Sequence, residues 1–214
     1  MHSRRRTKLA ALAASLAIAS LLLIGCVPPP TGISATAGDR SATVKFLAHD
    51  PGPGFTMEYE VRSLPGDRVV LVRDPRRSAS ATVSGLDNGT EYRFVVRSRR
   101  SSDPRDVWGA WSEPTAPVVP RGKPAAPTIS RVAGFVDLET GCTARVTFTP
   151  GSNGGQPISR YEVTVSGDSA PVSGSSSPIE VRGLTPHTSY GFTVKAFNAS
   201  GASPASATFT GSCS

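Results

Sequence analysis

Two kinds of hydrophobic pattern divide the chain. Residues 9–24 form an uncharged apolar run, whereas the remaining chain alternates apolar with polar residues over short stretches. The alternation is clearest in residues 42–46 and 144–148, and a two-residue period is typical of strands with one buried face. No segment after residue 26 has the period of an amphipathic helix. The pattern predicts an all-β chain preceded by one apolar helical segment.

A set of residues recurs at corresponding places in two halves of the chain. Each half contains an alternating strand, then the motif Tyr-Glu-Val, then a Leu and a Tyr that are six residues apart. The recurring residues are Tyr59 and Tyr161, Leu86 and Leu184, and Tyr92 and Tyr190. An internal repeat of this kind indicates two small domains that share one fold.

Pro-rich segments mark the domain boundaries. We assign residues 31–120 to the first domain, 121–126 to a linker and 127–214 to the second domain. Each domain is predicted to have seven strands, the last of them near 110–119 in the first domain and 204–212 in the second. Residues 26–30 are predicted to form a stiff spacer because consecutive prolines favour an extended chain.

The apolar run has the composition of an export signal. Four basic residues precede it, and its sixteen residues are fewer than the roughly 20 that span a bilayer as a helix. It ends in Leu23-Ile24-Gly25-Cys26, so the basic start, apolar stretch and small residue of a secretory signal are all present. Residues 1–25 are therefore predicted to be a signal peptide, with an uncleaved membrane anchor as the alternative.

The end of this segment resembles the lipobox of bacterial lipoprotein signal peptides. The resemblance implies that Cys26 receives a diacylglycerol and becomes the first residue after cleavage. Two or three acyl chains give a stable anchor, since each buried CH₂ contributes about 0.8 kcal/mol. The implied location is the cell membrane, lipid-anchored and facing the extracytoplasmic side. The alternative is a secreted protein whose Cys26 carries no lipid.

The net charge of +7 is weak evidence for a polyanionic partner. The signal carries +4, residues 31–120 carry +1, residues 121–123 carry +2 and the second domain carries 0. Because much of the excess lies in the segment that is removed, no nucleic-acid partner is expected.

The recurring residues resemble fibronectin type III domains. The resemblance implies an immunoglobulin-like β-sandwich of seven strands for each domain. It also implies structural tyrosine corners at Tyr92 and Tyr190, whose hydroxyls bond to nearby backbone. Phe46 and Phe148 stand where the family usually has a Trp, and we expect a variation of the core without a change of fold.

Two cysteines remain besides Cys26. In an exported protein, Cys142 and Cys213 are expected to form a disulfide, with two free thiols as the alternative. The topology implied by the resemblance brings the start of the second strand and the end of the last strand to one pole of the sandwich, within reach of a bridge.

The most distinctive local sequence is an arginine-bearing strand followed by two tryptophans. Arg93, Arg97 and Arg99 share one outward face, and Trp108 and Trp111 follow at the neighbouring strand. A guanidinium over an indole contributes about 0.5–1 kcal/mol when exposed.

This pattern resembles the Trp-Arg ladder of cytokine-receptor modules, although Gly109 replaces the first Ser of that motif. In those modules the ladder is mainly structural. Glu58 and Glu60, outward on a neighbouring strand, are expected to pair with the arginines. A ligand platform for a sugar or an acidic polymer is the second interpretation.

Catalytic and metal-binding patterns are poor. The three histidines are scattered, and Gly167-Asp168-Ser169, which resembles a serine-protease nucleophile segment, lies in a predicted loop of a domain too small for that fold. No His, Cys and carboxylate residues cluster as metal ligands. We therefore expect no enzymatic activity, no metal and no cofactor.

The sequence favours a lipid-anchored binding or adhesion module that recognises a protein or a cell-envelope glycan. The alternative is a non-binding spacer or scaffold at the cell surface. Fold alone does not decide between them, and the sequence carries no signal of oligomeric state.

Overall fold

A computed structural model describes residues 27–73, 77–101, 107–137, 141–167 and 170–212. Within these ranges the regular structure is entirely β, arranged as two sandwiches in tandem. The predicted fold class, two tandem immunoglobulin-like sandwiches, is confirmed. The predicted signal helix and Cys26 lie outside the described residues. In the part that is described, no helix is long and apolar enough to cross a membrane.

The described residues of the first sandwich form six strands. They are β1 (Thr31–Gly38), β2 (Ser41–Leu47), β3 (Met57–Leu64), β4 (Val69–Arg73), β5 (Ser78–Ser84) and β6 (Arg93–Arg100). One sheet has the order β1-β2-β5 and the other has the order β4-β3-β6, and all pairings are antiparallel.

The second sandwich repeats this plan. Its strands are β7 (Thr128–Asp137), β8 (Gly141–Thr149), β9 (Arg160–Val165), β10 (Val172–Gly174), β11 (Ile179–Leu184), β12 (Ser189–Asn198), β13 (Gly201–Ala202) and β14 (Phe209–Ser212). One sheet has the order β11-β8-β7, and the other joins β10, β9 and β12 to β13 and β14.

The alternating strands bury one face each, as their pattern requires. In both domains the Phe of the second strand packs on the Tyr of the third. The ring centroids are 4.9 Å apart for Phe46 and Tyr59 and again 4.9 Å apart for Phe148 and Tyr161. All four side chains are buried in the two hydrophobic cores. The large flat side chain that the fold needs at this place is therefore supplied by phenylalanine.

The last segment of the first domain differs from the predicted strand over 110–119. The N–H groups of every third residue, Gly109, Ser112 and Thr115, donate to carbonyls of β6. A period of three is that of an extended polyproline II chain. Pro114 and Pro117 lie in this segment and have no N–H for a regular ladder.

Hydroxyl groups complete the pairing along this segment. The hydroxyl oxygens of Ser112 and Thr115 accept hydrogen bonds from β6 N–H groups at 3.0 and 3.2 Å. The second domain does the same with Ser203 and Ser206 at 2.9 and 3.0 Å against β12. Side-chain oxygens therefore replace the carbonyls that a regular strand would offer.

The linker is fastened to both sandwiches. Arg121 donates its N–H to the Gly38 carbonyl at 3.1 Å, and Gly122 donates to the Gly154 carbonyl at 2.9 Å. The buried amide of Asn198 donates to the carbonyls of Gly122 and Asn153 at 2.8 and 2.9 Å. These bonds hold the backbone at the junction from both sides.

Residues 27–30 pack on the first sandwich, which differs from the predicted spacer. Val27 contacts the first core, the Ser98 hydroxyl donates to the Pro28 carbonyl at 3.2 Å, and Pro30 is buried. A Cβ on Gly109 would stand 2.3 Å from the Val27 carbonyl oxygen, so only glycine fits beside this segment. Proline composition indicated stiffness but not the surface against which the segment lies.

The chain enters and leaves the first domain at opposite poles. Thr31 at the start of β1 pairs with Leu47, near the loop that joins β2 to β3. Gly38 at the end of β1 contacts the linker through Arg121. Residues 27–30 therefore lie at the pole that is distant from the second domain.

Candidate functional site

The outward face of the sheet formed by β4, β3 and β6 carries a row of charged residues. The antiparallel register places Glu58 opposite Arg99 and Glu60 opposite Arg97. Because side chains alternate along a strand, residues two apart share a face. Two carboxylates on β3 thus lie directly beside two guanidinium groups on β6.

Guanidinium groups and indole rings alternate in one row above this sheet. The order along the row is Arg62, Trp111, Arg97, Trp108 and Arg99, with 4.4–4.9 Å between each guanidinium carbon and the neighbouring ring centroid. The tryptophans are three residues apart in a segment whose period is three, so both rings project from the same side. We call this row, together with Glu58 and Glu60, the ladder.

The carboxylates lie under the row and pair with it. Glu60 is 5% exposed and accepts bonds from Arg62 at 3.0 Å and from the Arg97 Nε at 2.9 Å. Glu58 is 2% exposed and accepts from Arg73 at 2.9 Å and from the Arg99 Nε at 2.7 Å. Each carboxylate therefore joins two guanidinium groups.

The pKa of Glu58 is lowered from its ordinary value. Burial acts to raise the pKa, but the hydrogen bonds and positive charges of Arg99 and Arg73 outweigh it. Glu58 is consequently ionised at neutral pH, although its side chain is almost fully buried.

Arg93 lies apart from the ladder, although the sequence pattern predicts that it shares a face with Arg97 and Arg99. Its guanidinium donates to the Thr115 carbonyl at 3.2 Å and lies 3.9 Å from Glu91. Conversely, Arg62 belongs to the row and was missed, because it comes from β3 and not from the arginine-bearing strand. Arg62 follows Glu60 by two residues, so the two share a face of β3, and this spacing was the signal that could have predicted its place in the row.

Tyr92 and Tyr190, which the resemblance implies are tyrosine corners, make the same kind of hydrogen bond in their two domains. The Tyr92 hydroxyl accepts a bond from the Asp87 N–H at 3.1 Å, and the Tyr190 hydroxyl accepts one from the Thr185 N–H at 3.0 Å. Both bonds hold the turn that precedes the strand of the tyrosine.

An apolar edge borders the ladder. Val69 and Leu71 on β4 are 47% and 48% exposed, and their register partners are Arg62 and Glu60 on β3. They therefore share the ladder's face of the sheet. The sequence does not predict that these two side chains are exposed, because residues 69–72 are all apolar and show no alternation.

The corresponding face of the second domain has no such row among its described residues. Glu162, the counterpart of Glu60, pairs with Arg160 at 2.9 Å, and the Arg160 guanidinium lies 3.9 Å from the Phe197 ring centroid. The ladder and its apolar edge thus distinguish the first domain from the second.

One of the two cysteines that are predicted to form a disulfide lies among the described residues. Cys142 is fully buried, whereas Cys213 lies outside the described residues. The pairing of these two cysteines therefore stays a prediction.

Among the described residues no three His, Cys, Asp or Glu side chains are grouped to hold a metal ion.

Comparison with known proteins places these features in a family. The model for the fibronectin type III domain matches residues 28–118 and 136–212. Contactin-1a of Danio rerio is 32% identical over 198 residues, which cover 83% of this chain. The chain spans 18% of that relative's length. Two sandwiches with one topology, paired tyrosine corners and two family matches lead to one conclusion: the chain belongs to the fibronectin type III family.

Proposed function

We propose that the chain is a lipid-anchored, extracytoplasmic binding or adhesion module that recognises a protein or a cell-envelope glycan. The contact surface is the face of the first domain that carries the ladder and the edge residues Val69 and Leu71. The exposed apolar edge is the observation that carries this proposal, since each guanidinium group of the ladder already pairs with one of its two carboxylates.

The composition of this face suits recognition. Tryptophan and arginine are the residues that contribute most to protein interfaces, and indole rings also offer stacking surfaces to sugars. β4 lies at the end of its sheet in the order β4-β3-β6, so among the described strands it pairs with β3 alone. An exposed strand edge can accept an extended partner segment.

A spacer that binds nothing is the second candidate function. It is favoured by the ladder's internal pairing and by the hydrogen bonds at the junction, which together stiffen a two-domain rod. In a binding module the apolar edge contacts a partner, whereas in a spacer it contacts none.

Leu71→Ser is expected to weaken binding to envelope material roughly tenfold, because it removes one apolar contact of the proposed face. Retention of the purified protein would be measured on immobilised cell-wall glycan and on solubilised envelope protein. The matched control is Phe135→Ser, which changes an exposed apolar residue of the second domain that is 53% exposed. Equal retention of both variants, or no retention of the unchanged protein, would favour the spacer.

Cys26→Ala is expected to move the protein from the membrane fraction to the soluble fraction, because the thiol that takes the lipid is gone. Fractionation and incorporation of labelled fatty acid give the readout. Ser20→Ala serves as the control, since it alters the same segment without touching the thiol. Membrane association that persists without Cys26 would point to an uncleaved anchor and refute the lipid.

A further inference from the structure

The first domain holds its own N-terminal segment firmly at one pole. Val27 packs on the core beside Gly109, and the Pro29 carbonyl lies 3.2 Å from the His49 Nε2. Consecutive Cα atoms are about 3.8 Å apart, so the chain leaves Val27 toward residue 26 without slack. Whatever residue 26 is attached to must therefore lie next to this pole.

The same pole presents apolar and basic side chains together. Phe55 and Val107 are 41% and 65% exposed, and the Arg100 guanidinium lies 5.0 Å from the Phe55 ring centroid. Arg77 is exposed nearby, where its carbonyl accepts a bond from Ala48 at 2.9 Å. We call Phe55, Arg77, Arg100 and Val107 the entry pole.

Backbone bonds bring these residues to one place. Ser101 donates to the Thr56 carbonyl at 3.0 Å, which ties the end of β6 to the loop that contains Phe55. Gly109, two residues after Val107, donates to the Ser98 carbonyl at 2.8 Å, which places Val107 beside the same end of β6. The bond from Ala48 to Arg77 ties the same β2–β3 loop to the start of β5. The entry pole is thus one surface built from several loops.

This chemistry suits the surface of an anionic bilayer. Phe is among the apolar side chains that interfacial segments bury at the boundary between headgroups and acyl chains, and arginines near anionic headgroups are attracted by the negative surface potential. An apolar and basic surface of this kind inserts shallowly and pairs with phosphate groups. A protein partner would have to share this place with the lipid that the chain carries one residue away.

We propose that the first domain stands directly on the lipid surface, with the entry pole against anionic phospholipid headgroups. This inference rests on the proposed lipid anchor at Cys26. The linker is at the opposite pole, so the second domain points away from the membrane. The distance between the entry pole and the linker pole is about 26 Å, since β6 has eight residues with a rise of roughly 3.3 Å each.

A tryptophan reporter at the entry pole tests the contact. The full lipidated chain with Phe55→Trp is placed in phosphatidylglycerol vesicles that contain a lipid with a quencher in its headgroup region. The emission added by this substitution, relative to the two native tryptophans, is expected to be lost. The matched reporter Phe135→Trp, in the second domain, is expected to keep its added emission. Equal emission from both reporters would overturn the inference.

A long, flexible tether between Cys26 and Val27 distinguishes affinity of the entry pole for headgroups from the closeness that a short attachment imposes. We call the chain with this tether the slack-tether chain. Twelve Gly and Ser residues inserted between Cys26 and Val27 allow a separation of about 20 Å. Quenching of the Phe55→Trp reporter is expected to persist in anionic vesicles and to be lost in vesicles of phosphatidylcholine alone. Quenching that is lost in both would show that the entry pole has no affinity for headgroups.

Neutralising the two arginines of the entry pole tests whether their charges cause the attraction to headgroups. Arg77→Ser with Arg100→Ser in the slack-tether chain is expected to reduce partitioning of the pole roughly fivefold per arginine. Arg68→Ser with Arg121→Ser, at the linker pole, is the control and is expected to change nothing. Mass spectrometry of Cys26 keeps the two proposals apart: a missing lipid counts against the anchor, whereas a lipid present without quenching counts against the entry pole alone.

Discussion

Glu60→Gln is expected to destabilise the first domain by about 2–3 kcal/mol. The carboxylate is buried and pairs with Arg62 and Arg97, so its neutralisation removes the carboxylate partner of Arg97 and leaves Arg62 with Asp67 at 3.9 Å. Breaking a fully buried pair costs more, but the Arg97 side chain keeps 23% exposure, and solvent screens part of the loss. The readout is denaturant unfolding followed by tryptophan emission, because both tryptophans belong to the first domain.

Glu162→Gln is the matched control for this change. It occupies the same Tyr-Glu-Val motif in the second domain, but its side chain is 21% exposed and, among the described residues, its ion pair is with Arg160. Its effect is expected to stay below about 1 kcal/mol, measured by circular dichroism. Equal losses for the two variants would mean that the ladder contributes no more than an ordinary surface pair.

Removal of the proposed bridge between Cys142 and Cys213 is expected to cost the second domain about 4 kcal/mol. A bridge that closes a loop of roughly 70 residues restricts the unfolded chain by about that amount. The double variant Cys142→Ala with Cys213→Ala should lower the unfolding temperature of the second domain, and reduction of the unchanged protein should reproduce the shift.

The first domain supplies the internal control for this experiment. Its unfolding, followed by tryptophan emission, is expected to be the same with and without reductant. A count of free thiols in the denatured, unreduced protein tests the pairing itself. Two reactive thiols besides Cys26 would contradict the bridge.

Alternation predicted the strands well wherever one face of a strand is buried and the other is wet. β2 and β8 follow this rule residue by residue. It failed for residues 110–119, because a chain that contacts its neighbour at every third residue has no two-residue period. Ser112 and Thr115 had a signal, a hydroxyl at every third position between prolines, that recurs at Ser203 and Ser206.

The ladder was predicted in part for a similar reason. A strand period of two placed Arg93, Arg97 and Arg99 on one face. The tryptophans, however, are spaced by about 9 Å along a polyproline II chain, and their row ends before it reaches Arg93. Which arginines stack is therefore decided by the spacing of the rings, and the sequence pattern of β6 contains no information about that.

The position of residues 27–30 was beyond prediction from composition. A run of prolines indicates an extended chain, but its contacts with Ser98 and His49 depend on tertiary packing. In the sequence, the glycine at position 109 is no more than a departure from a motif. Its reason is the close approach of the Val27 carbonyl.

The entry and exit of the first domain at opposite poles have a mechanical consequence. A load applied to the outer domain of an anchored chain would run along the long axis of the first sandwich. Hydrogen bonds between antiparallel strands lie perpendicular to the strands, so the bonds between β1 and β2 would be sheared together. Bonds that share a force in this way yield cooperatively, which suits a module that has to hold its shape while its far end is pulled.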